Sequence, residues 1–267
     1  MKLFVNHIFY HLEIHQNSKN KPYLLFLHGF MGSGKVFDKI IPLITEFCNP
    51  VTIDLLGHGM TEGTEDPSRF ECEHQVNDLI SILDRLKLKN LFLYGYSMGA
   101  RLSLQTILHS AKFFSGCILE STHCGIENLK ERQERRIIDK KRADSILQEF
   151  DQFLKNWNEK QLFKCSSDKS SAGYKTIQMS QKPEYMAASL LGFGAGTMPP
   201  VCEKLSQLKL PVLCLAGSED QKYAESMRKL SGLFSEADFK VIPKSGHRIH
   251  LDQPKSAANE IKPFLKR

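Results

Sequence analysis

Hydrophobic positions along the chain fall into short apolar runs that alternate with longer stretches of helical spacing. The run at 23–27 is apolar without interruption, which is typical of a strand buried on both faces. Strands that alternate with helices in this way predict a mostly parallel, doubly wound α/β sheet. The predicted strands are 2–5 and 8–14 (a hairpin), 23–27, 50–54, the run before Gly95, 114–121, 211–217 and 239–243. The predicted core helices are 36–47, 73–86, 98–109, 223–234 and 254–265.

The middle of the chain has a different pattern. From residue 122 to residue 205 strand signals vanish and charge-rich helical stretches take their place. These stretches are 126–141, 143–156, 170–179 and 183–191. We therefore predict a core of residues 1–121 and 206–267, with a helical cap of residues 122–205 inserted between core strands and lying over the site.

A single pentapeptide carries the strongest chemical signal. Gly95-Tyr96-Ser97-Met98-Gly99 follows a strand and opens a helix, which is the context of a G-x-S-x-G nucleophile elbow. The turn is so tight that a Cβ two residues before or after Ser97 would collide with the neighbouring strand or helix. The alternative is an ordinary strand-to-helix turn that happens to contain a serine and two glycines.

Ser97 and two residues later in the chain form a candidate catalytic triad. Ser97, Asp220 and His247 occur in the chain order of α/β-hydrolase triads, each just past a predicted strand, where sites open in such sheets. His247 would accept the serine proton, and the carboxylate would fix the imidazole tautomer. Glu219 competes for the acid role, but Asp220 lies one residue further past its strand. Taken alone, His247 is also compatible with a surface-loop histidine.

A second loop completes the expected chemistry. His28-Gly29-Phe30 follows a buried strand, so the backbone N–H groups of Phe30 and Met98 are the predicted oxyanion hole. A phosphate-loop interpretation fails because no G-x-x-x-x-G-K-[ST] is present. The histidines form no H-E-x-x-H motif and no Cys/His cluster, so we expect no metal site.

Composition narrows the class of protein. Of the 267 residues, 41% are hydrophobic and 25% charged, and the apolar runs are too short to span a membrane. The net charge of +6 includes no long basic tract, so no nucleic-acid partner is expected. Basic residues do bunch between Lys130 and Arg142, where a solvated helix face is the simplest interpretation. The seven scattered cysteines include no C-x-x-C, and we expect them to be reduced thiols in a cytoplasmic protein.

The chain also resembles a particular family, the 2-succinyl-6-hydroxy-2,4-cyclohexadiene-1-carboxylate (SHCHC) synthases of menaquinone biosynthesis, which have the α/β-hydrolase fold. The resemblance runs nearly end to end and departs from the family at Ala100 and in the loop Thr122-His123-Cys124-Gly125. The segments that carry it are Gly95–Arg101, Glu120-Ser121-Thr122, Glu131–Asp139, Trp157 and Leu190–Pro199.

This resemblance implies the reaction and the substrate contacts. The family eliminates pyruvate from 2-succinyl-5-enolpyruvyl-6-hydroxy-3-cyclohexene-1-carboxylate, a small molecule with three carboxylates, with the triad serving as base and without a cofactor. The assignment of the cap arginines is ambiguous among Arg132, Arg135 and Arg136; we favour Arg132 and Arg136, one helical turn apart. We expect a monomer or weak homo-oligomer. The implied substrate-binding residues are Tyr96, Arg101, Arg132, Arg136 and Trp157.

Two other classes of function remain open. An ester or carbon–carbon bond hydrolase of the same fold would use the same triad without needing Arg101 and a pair of cap arginines. A noncatalytic ligand receptor on this scaffold is disfavoured, because each triad position holds a chemically competent residue.

Overall fold

A computed structural model describes residues 1–163 and 168–267, with side chains throughout except at residues 168–171. The described residues contain one eight-stranded sheet, in the order β1-β2-β4-β3-β5-β6-β7-β8. β1 and β2 pair antiparallel, as do β2 and β4, and all other neighbours are parallel. The predicted hairpin and the mostly parallel sheet are confirmed.

The strands lie close to their predicted positions. Their bounds are β1 Lys2–Val5, β2 Ile8–Ile14, β3 Tyr23–Leu27, β4 Asn49–Ile53, β5 Leu91–Tyr96, β6 Phe114–Glu120, β7 Val212–Gly217 and β8 Ala237–Ile242. The helices are α1 Ile41–Ile44, α2 Cys72–Leu86, α3 Met98–Ser110, α4 Leu129–Gln148, α5 Phe150–Asn158, α6 Asp168–Met179, α7 Pro183–Phe193, α8 Gln221–Ser231, α9 Ile249–Asp252 and α10 Pro254–Phe264.

Both faces of the sheet are covered. In β3, Leu25 and Leu27 belong to a buried cluster with α2 and α3, whereas Leu24 and Phe26 belong to a cluster with α1 and α10. Successive side chains of a strand point to opposite faces, so a continuous apolar run needs helices on both. The carboxyl ends of the parallel strands are thereby left as the open edge where a site can form.

Two helical predictions differ from the structure. The predicted helix 36–47 is a 3₁₀ turn at Gly34–Phe37 followed by the short α1, because Pro42 lacks an N–H and fits only in the first turn of a helix. In the cap, the predicted break near residue 142 lies instead at Glu149. α4 continues past that point because Ala143 and Ile146 are buried against α5 and α7.

The segment between β6 and β7 packs over the carboxyl end of the sheet. Asn128 begins α4 by accepting hydrogen bonds from the N–H groups of Lys130 and Glu131, which an N-terminal turn leaves unpaired. Helices α4, α5 and α7 share an apolar cluster that includes Met31, from the loop after β3. This contact places helices directly above the loop that follows β3.

The cysteine prediction is wrong for two residues. Cys124 and Cys202 form a disulfide, with Cα atoms 5.1 Å apart. The backbone brings them together, since Val201 N–H donates to Cys124 O at 2.8 Å. Sequence spacing gave no sign of this pair, because 78 positions separate the two cysteines. Cys48, Cys72, Cys117 and Cys214 are free thiols, and Cys165 lies outside the described residues.

Among the described residues, no helix is long and apolar enough to cross a membrane.

The disulfide should contribute measurably to stability. Cys124→Ser is expected to lower the free energy of unfolding by up to about 4 kcal/mol, because the bond closes a loop of 78 residues in the unfolded chain. Urea unfolding with and without dithiothreitol measures this. The reductant should lower the midpoint of the wild type and leave the variant unchanged. Equal midpoints for the variant and the oxidised wild type would contradict the bond.

Candidate active site

Ser97 lies in a strained turn between β5 and α3. Its backbone has φ 52° and ψ −106°, a region that non-glycine residues rarely occupy. A Cβ at Gly95 would overlap the Cα of Ala100, and one at Gly99 would overlap the carbonyl group of Leu27. The two glycines therefore let α3 start directly against the strands, which holds the serine at the end of the sheet.

The three proposed triad residues are brought together. His247 Nε2 lies 3.1 Å from Ser97 Oγ, and His247 Nδ1 lies 2.7 Å from Asp220 Oδ2. Both His247 and Asp220 are buried, whereas Glu219 is exposed and accepts a hydrogen bond from its neighbour Ser218. A carboxylate on Nδ1 leaves Nε2 free to accept the serine proton. The geometry is that of a serine activated by a histidine base.

The predicted oxyanion hole consists of two backbone amides. Phe30 and Met98 both line the cavity, and Met98 is the first residue of α3. Within the described chain neither amide donates a hydrogen bond to a protein group. N–H groups at a helix start favour negative charge, so the pair is suited to an oxyanion.

A cavity of about 650 Å³ opens above the serine. Its walls come from the strand ends, the α8 start and the cap. Of the predicted catalytic, oxyanion-hole and substrate-binding residues, it is lined by Phe30, Tyr96, Ser97, Met98, Arg101, Trp157, Asp220 and His247, and the alternatives Arg135 and Glu219 line it too.

The favoured arginine pair does not line this cavity. Arg136 Nε donates to Gly196 O at 2.8 Å, and Arg132 donates to Gly196 O and Thr197 O at 3.3 Å each. Spaced four apart, the two arginines do share a helix face, but that face packs on the loop after α7. Gly196 approaches α4 so closely that a Cβ would lie 2.7 Å from Arg136 N. The structure thus places Arg132 and Arg136 against the loop after α7 and outside the cavity lining, and their predicted contact with substrate stays a prediction.

A different face of α4 points into the cavity. Arg135 and Arg142 both line it, and Asp139 accepts from Arg135 Nε at 2.9 Å and from Arg142 Nη1 at 3.0 Å. Residues 135, 139 and 142 recur at helical spacing, which was the sequence signal that could have identified them. From α3, Arg101 Nη1 donates to Phe193 O at 3.2 Å. We call Arg101, Arg135, Arg142 and Lys160 the cation cluster.

Burial and mutual repulsion lower the pKa values of groups in this cluster. Burial lowers the pKa of the Arg101 guanidinium to about 10, and the positive charge of Arg135 adds to the shift. Burial, then Arg142 and Arg135, lowers the pKa of the Lys160 ammonium to about 8. Burial, then the positive charges of Arg101 and Arg135, lowers the pKa of His123 to about 3, so that imidazole is neutral. The cavity therefore holds concentrated positive charge and favours a polyanion.

Known proteins resemble this chain in sequence and fold. A family model for the α/β hydrolase fold matches residues 22–254. A Bacillus subtilis (strain 168) protein, provisionally named 2-succinyl-6-hydroxy-2,4-cyclohexadiene-1-carboxylate synthase, is 30% identical over 90% of this chain and 88% of its own length. The synthase of that name from Serratia proteamaculans (strain 568) is 26% identical over 94% of this chain and 96% of its own.

Solved structures give the same result. MenH from S. aureus superposes with a TM-score of 0.90 at 31% identity, covering 96% of this chain and 97% of that one. A thermophilic esterase from Thermogutta terrifontis has a TM-score of 0.82 at 21% identity, with 100% and 97% coverage, and shows the shared fold alone.

The chain belongs to the α/β-hydrolase fold family. Within that fold it belongs to a family of enzymes, the SHCHC synthases. The fold class and the family resemblance predicted from the sequence are confirmed.

The lowered pKa of Lys160 predicts a pH-dependent stability. As the pH rises from about 8 towards 10.5, the folded protein has lost a proton that the unfolded chain still holds, so stability should increase. The half-buried position limits the gain to about 1 kcal/mol. Over this pH range the urea midpoint of the wild type should rise relative to that of Lys160→Gln.

Lys155→Gln, which removes an exposed lysine of α5, is the matched control and should follow the wild type. A constant difference between wild type and Lys160→Gln from pH 7 to pH 10 would show that Lys160 is not perturbed.

Proposed function

We propose that this enzyme eliminates pyruvate from 2-succinyl-5-enolpyruvyl-6-hydroxy-3-cyclohexene-1-carboxylate, acting as a carbon–oxygen lyase in menaquinone biosynthesis. The observation that carries the proposal is the position of the cation cluster, which lines the same cavity as Ser97 and His247. A simple ester hydrolase has no need for buried cations there. The names of the relatives point to the same product.

In this proposal Ser97 acts as a base rather than as a nucleophile. His247 Nε2, 3.1 Å from Ser97 Oγ, accepts the hydroxyl proton as the serine oxygen removes the ring proton beside the succinyl carbonyl. The electron pair of that C–H bond moves onto the carbonyl oxygen as an enolate. Asp220 stabilises the imidazolium through the 2.7 Å contact to Nδ1.

Collapse of the enolate then expels the leaving group. Its electron pair returns to the ring and forms a new ring double bond. The existing ring double bond shifts by one position, and the ring C–O bond breaks. Pyruvate leaves as its enolate and takes up one proton. The amides of Phe30 and Met98 stabilise the oxyanion, and each such donor is typically worth about 3 kcal/mol.

The cation cluster binds the carboxylates of the substrate. Arg101 follows Ser97 by one turn of α3, while Arg135 and Arg142 come from the cap. A guanidinium can hold a carboxylate with two parallel hydrogen bonds. Trp157 supports this side of the cavity, with Lys160 Nζ 3.8 Å from its ring centroid and Arg142 Cζ 5.5 Å from it.

Pyruvate release tests the function directly. The wild type should release pyruvate from the enolpyruvyl precursor, measured by coupling to NADH oxidation. Ser97→Ala should reduce kcat at least about 10³-fold, because the base is removed while the cavity stays intact. Absence of release together with hydrolysis of nitrophenyl esters would assign a hydrolase instead. Tight binding without any turnover would assign a receptor.

The two faces of α4 allow a matched comparison. Arg135→Gln should lower kcat/KM for pyruvate release about 10- to 100-fold, since it removes a charged partner of a substrate carboxylate. Arg136→Gln should change kcat/KM by no more than a few-fold and instead lower Tm, because Arg136 holds Gly196 O. Steady-state kinetics and thermal melting of both variants measure this. The reverse ranking in kcat/KM would restore the pair favoured from the sequence.

A further inference from the structure

Two cations that line the cavity, the exposed Lys222 and the buried Arg248, take no part in the mechanism above. Arg248 follows the catalytic histidine directly, lines the cavity and is only 2% exposed. Its guanidinium carbon lies 3.8 Å from the ring centroid of Tyr174 and 4.0 Å from that of Phe163. The side chain is thus held between cap aromatics and the loop that carries His247.

This arginine has no anionic partner. Within the described chain Arg248 forms no ion pair, and its Nε is buried without a hydrogen-bond acceptor. A buried cation is costly unless it is paired, and aromatic rings return only part of that cost. In contrast, Arg69 and Arg135 both have a buried carboxylate as partner. Arg248 also hydrogen-bonds the phenols of Tyr96 and Tyr174, so its unpaired Nε–H is the donor left for an acceptor that enters the cavity.

Arg248 also has electrostatic neighbours different from those of the cation cluster. Members of that cluster shift the pKa values of one another and of Tyr223. Burial raises the pKa of the Tyr96 and Tyr174 phenols, and the charge of Arg248 lowers it by a smaller amount. Tyr96 is the residue before the reactive serine. The cavity therefore has two centres of positive charge, and Ser97 and His247 are near both.

We propose that Arg248 is a second carboxylate anchor of the active site, binding one of the three substrate carboxylates while the cation cluster holds the others. The inference rests on the proposed function for the identity of the substrate. The flanking rings fix the guanidinium plane, so its orientation is set before the ligand arrives. A preorganised donor of this kind loses little side-chain entropy on binding.

The test pairs a variant with a modified substrate. Pyruvate release is measured for the wild type and Arg248→Gln on the substrate and on each of its three monomethyl esters. Arg248→Gln should lower kcat/KM about 10- to 100-fold on the unmodified substrate. One ester should lower wild-type kcat/KM by a similar factor and have no further effect on Arg248→Gln. Arg228→Gln, which removes an exposed arginine stacked on Phe239, is the control and should match the wild type.

A purely structural role would give a different result. If the losses from Arg248→Gln and from every ester multiply, Arg248 only packs the cap and the proposal is overturned. If Arg248→Gln does not fold, Arg248→Met, which keeps an unbranched stem between the rings and removes the charge, replaces it, and the same loss of effect with one ester is required. Unreduced kcat/KM in either folded variant also overturns the anchor.

Failure of the proposed function is recognised separately, as the absence of pyruvate release by the wild type. Calorimetric titration with citrate, a tricarboxylate, then decides the anchor. Binding weakened at least about 10-fold in Arg248→Gln but unchanged in Arg228→Gln supports it. Equal citrate affinity in both variants, or no binding to the wild type, overturns it.

Discussion

The strained backbone at Ser97 is the constraint on which the active site depends. A φ of 52° costs a serine about 1–3 kcal/mol and persists only because the surrounding structure enforces it. The Ser97 N–H donates to Glu120 O at 2.9 Å, and the buried Glu120 carboxylate accepts from the His250 N–H and contacts His250 Nδ1 at 2.9 Å. The same residue therefore ties the serine turn and the loop after β8 to one strand end. Triad geometry follows from sheet register rather than from contacts within the triad alone.

A second constraint comes from like charges held close together. Arg135 and Arg142 share the single carboxylate oxygen Asp139 Oδ1, while Asp139 Oδ2 is buried without a partner. One carboxylate cannot balance the four members of the cation cluster, so the protein groups on this side of the cavity carry net positive charge. An incoming polyanion relieves this repulsion and forms new hydrogen bonds at the same time. The cap thus contributes three of the four members of the cation cluster, whereas the core contributes Arg101 and the three proposed triad residues.

Most of the architecture could be predicted because it is encoded locally. Apolar runs predict the strands, and the glycines around Ser97 indicate that the turn at this serine has no room for side chains. The triad residues, whose roles stay predictions, follow strand ends and so meet at one edge. The cap was harder, because Arg132, Arg135 and Arg136 look alike in sequence and only the packing of Gly196 on α4 separates them. Arg248 and the Cys124–Cys202 pair depend on contacts distant in sequence, which no periodicity reveals.

The bond between Cys124 and Cys202 also changes how the chain is connected. It joins the segment that leaves the core after β6 to the segment that returns to the core before β7. The core therefore has a second covalent connection that bypasses the inserted helices. A single backbone cut between these cysteines would leave one molecule, with both halves of the sheet still attached to each other. The insertion is topologically a side loop, and its sequence can diverge without breaking the continuity of the catalytic core.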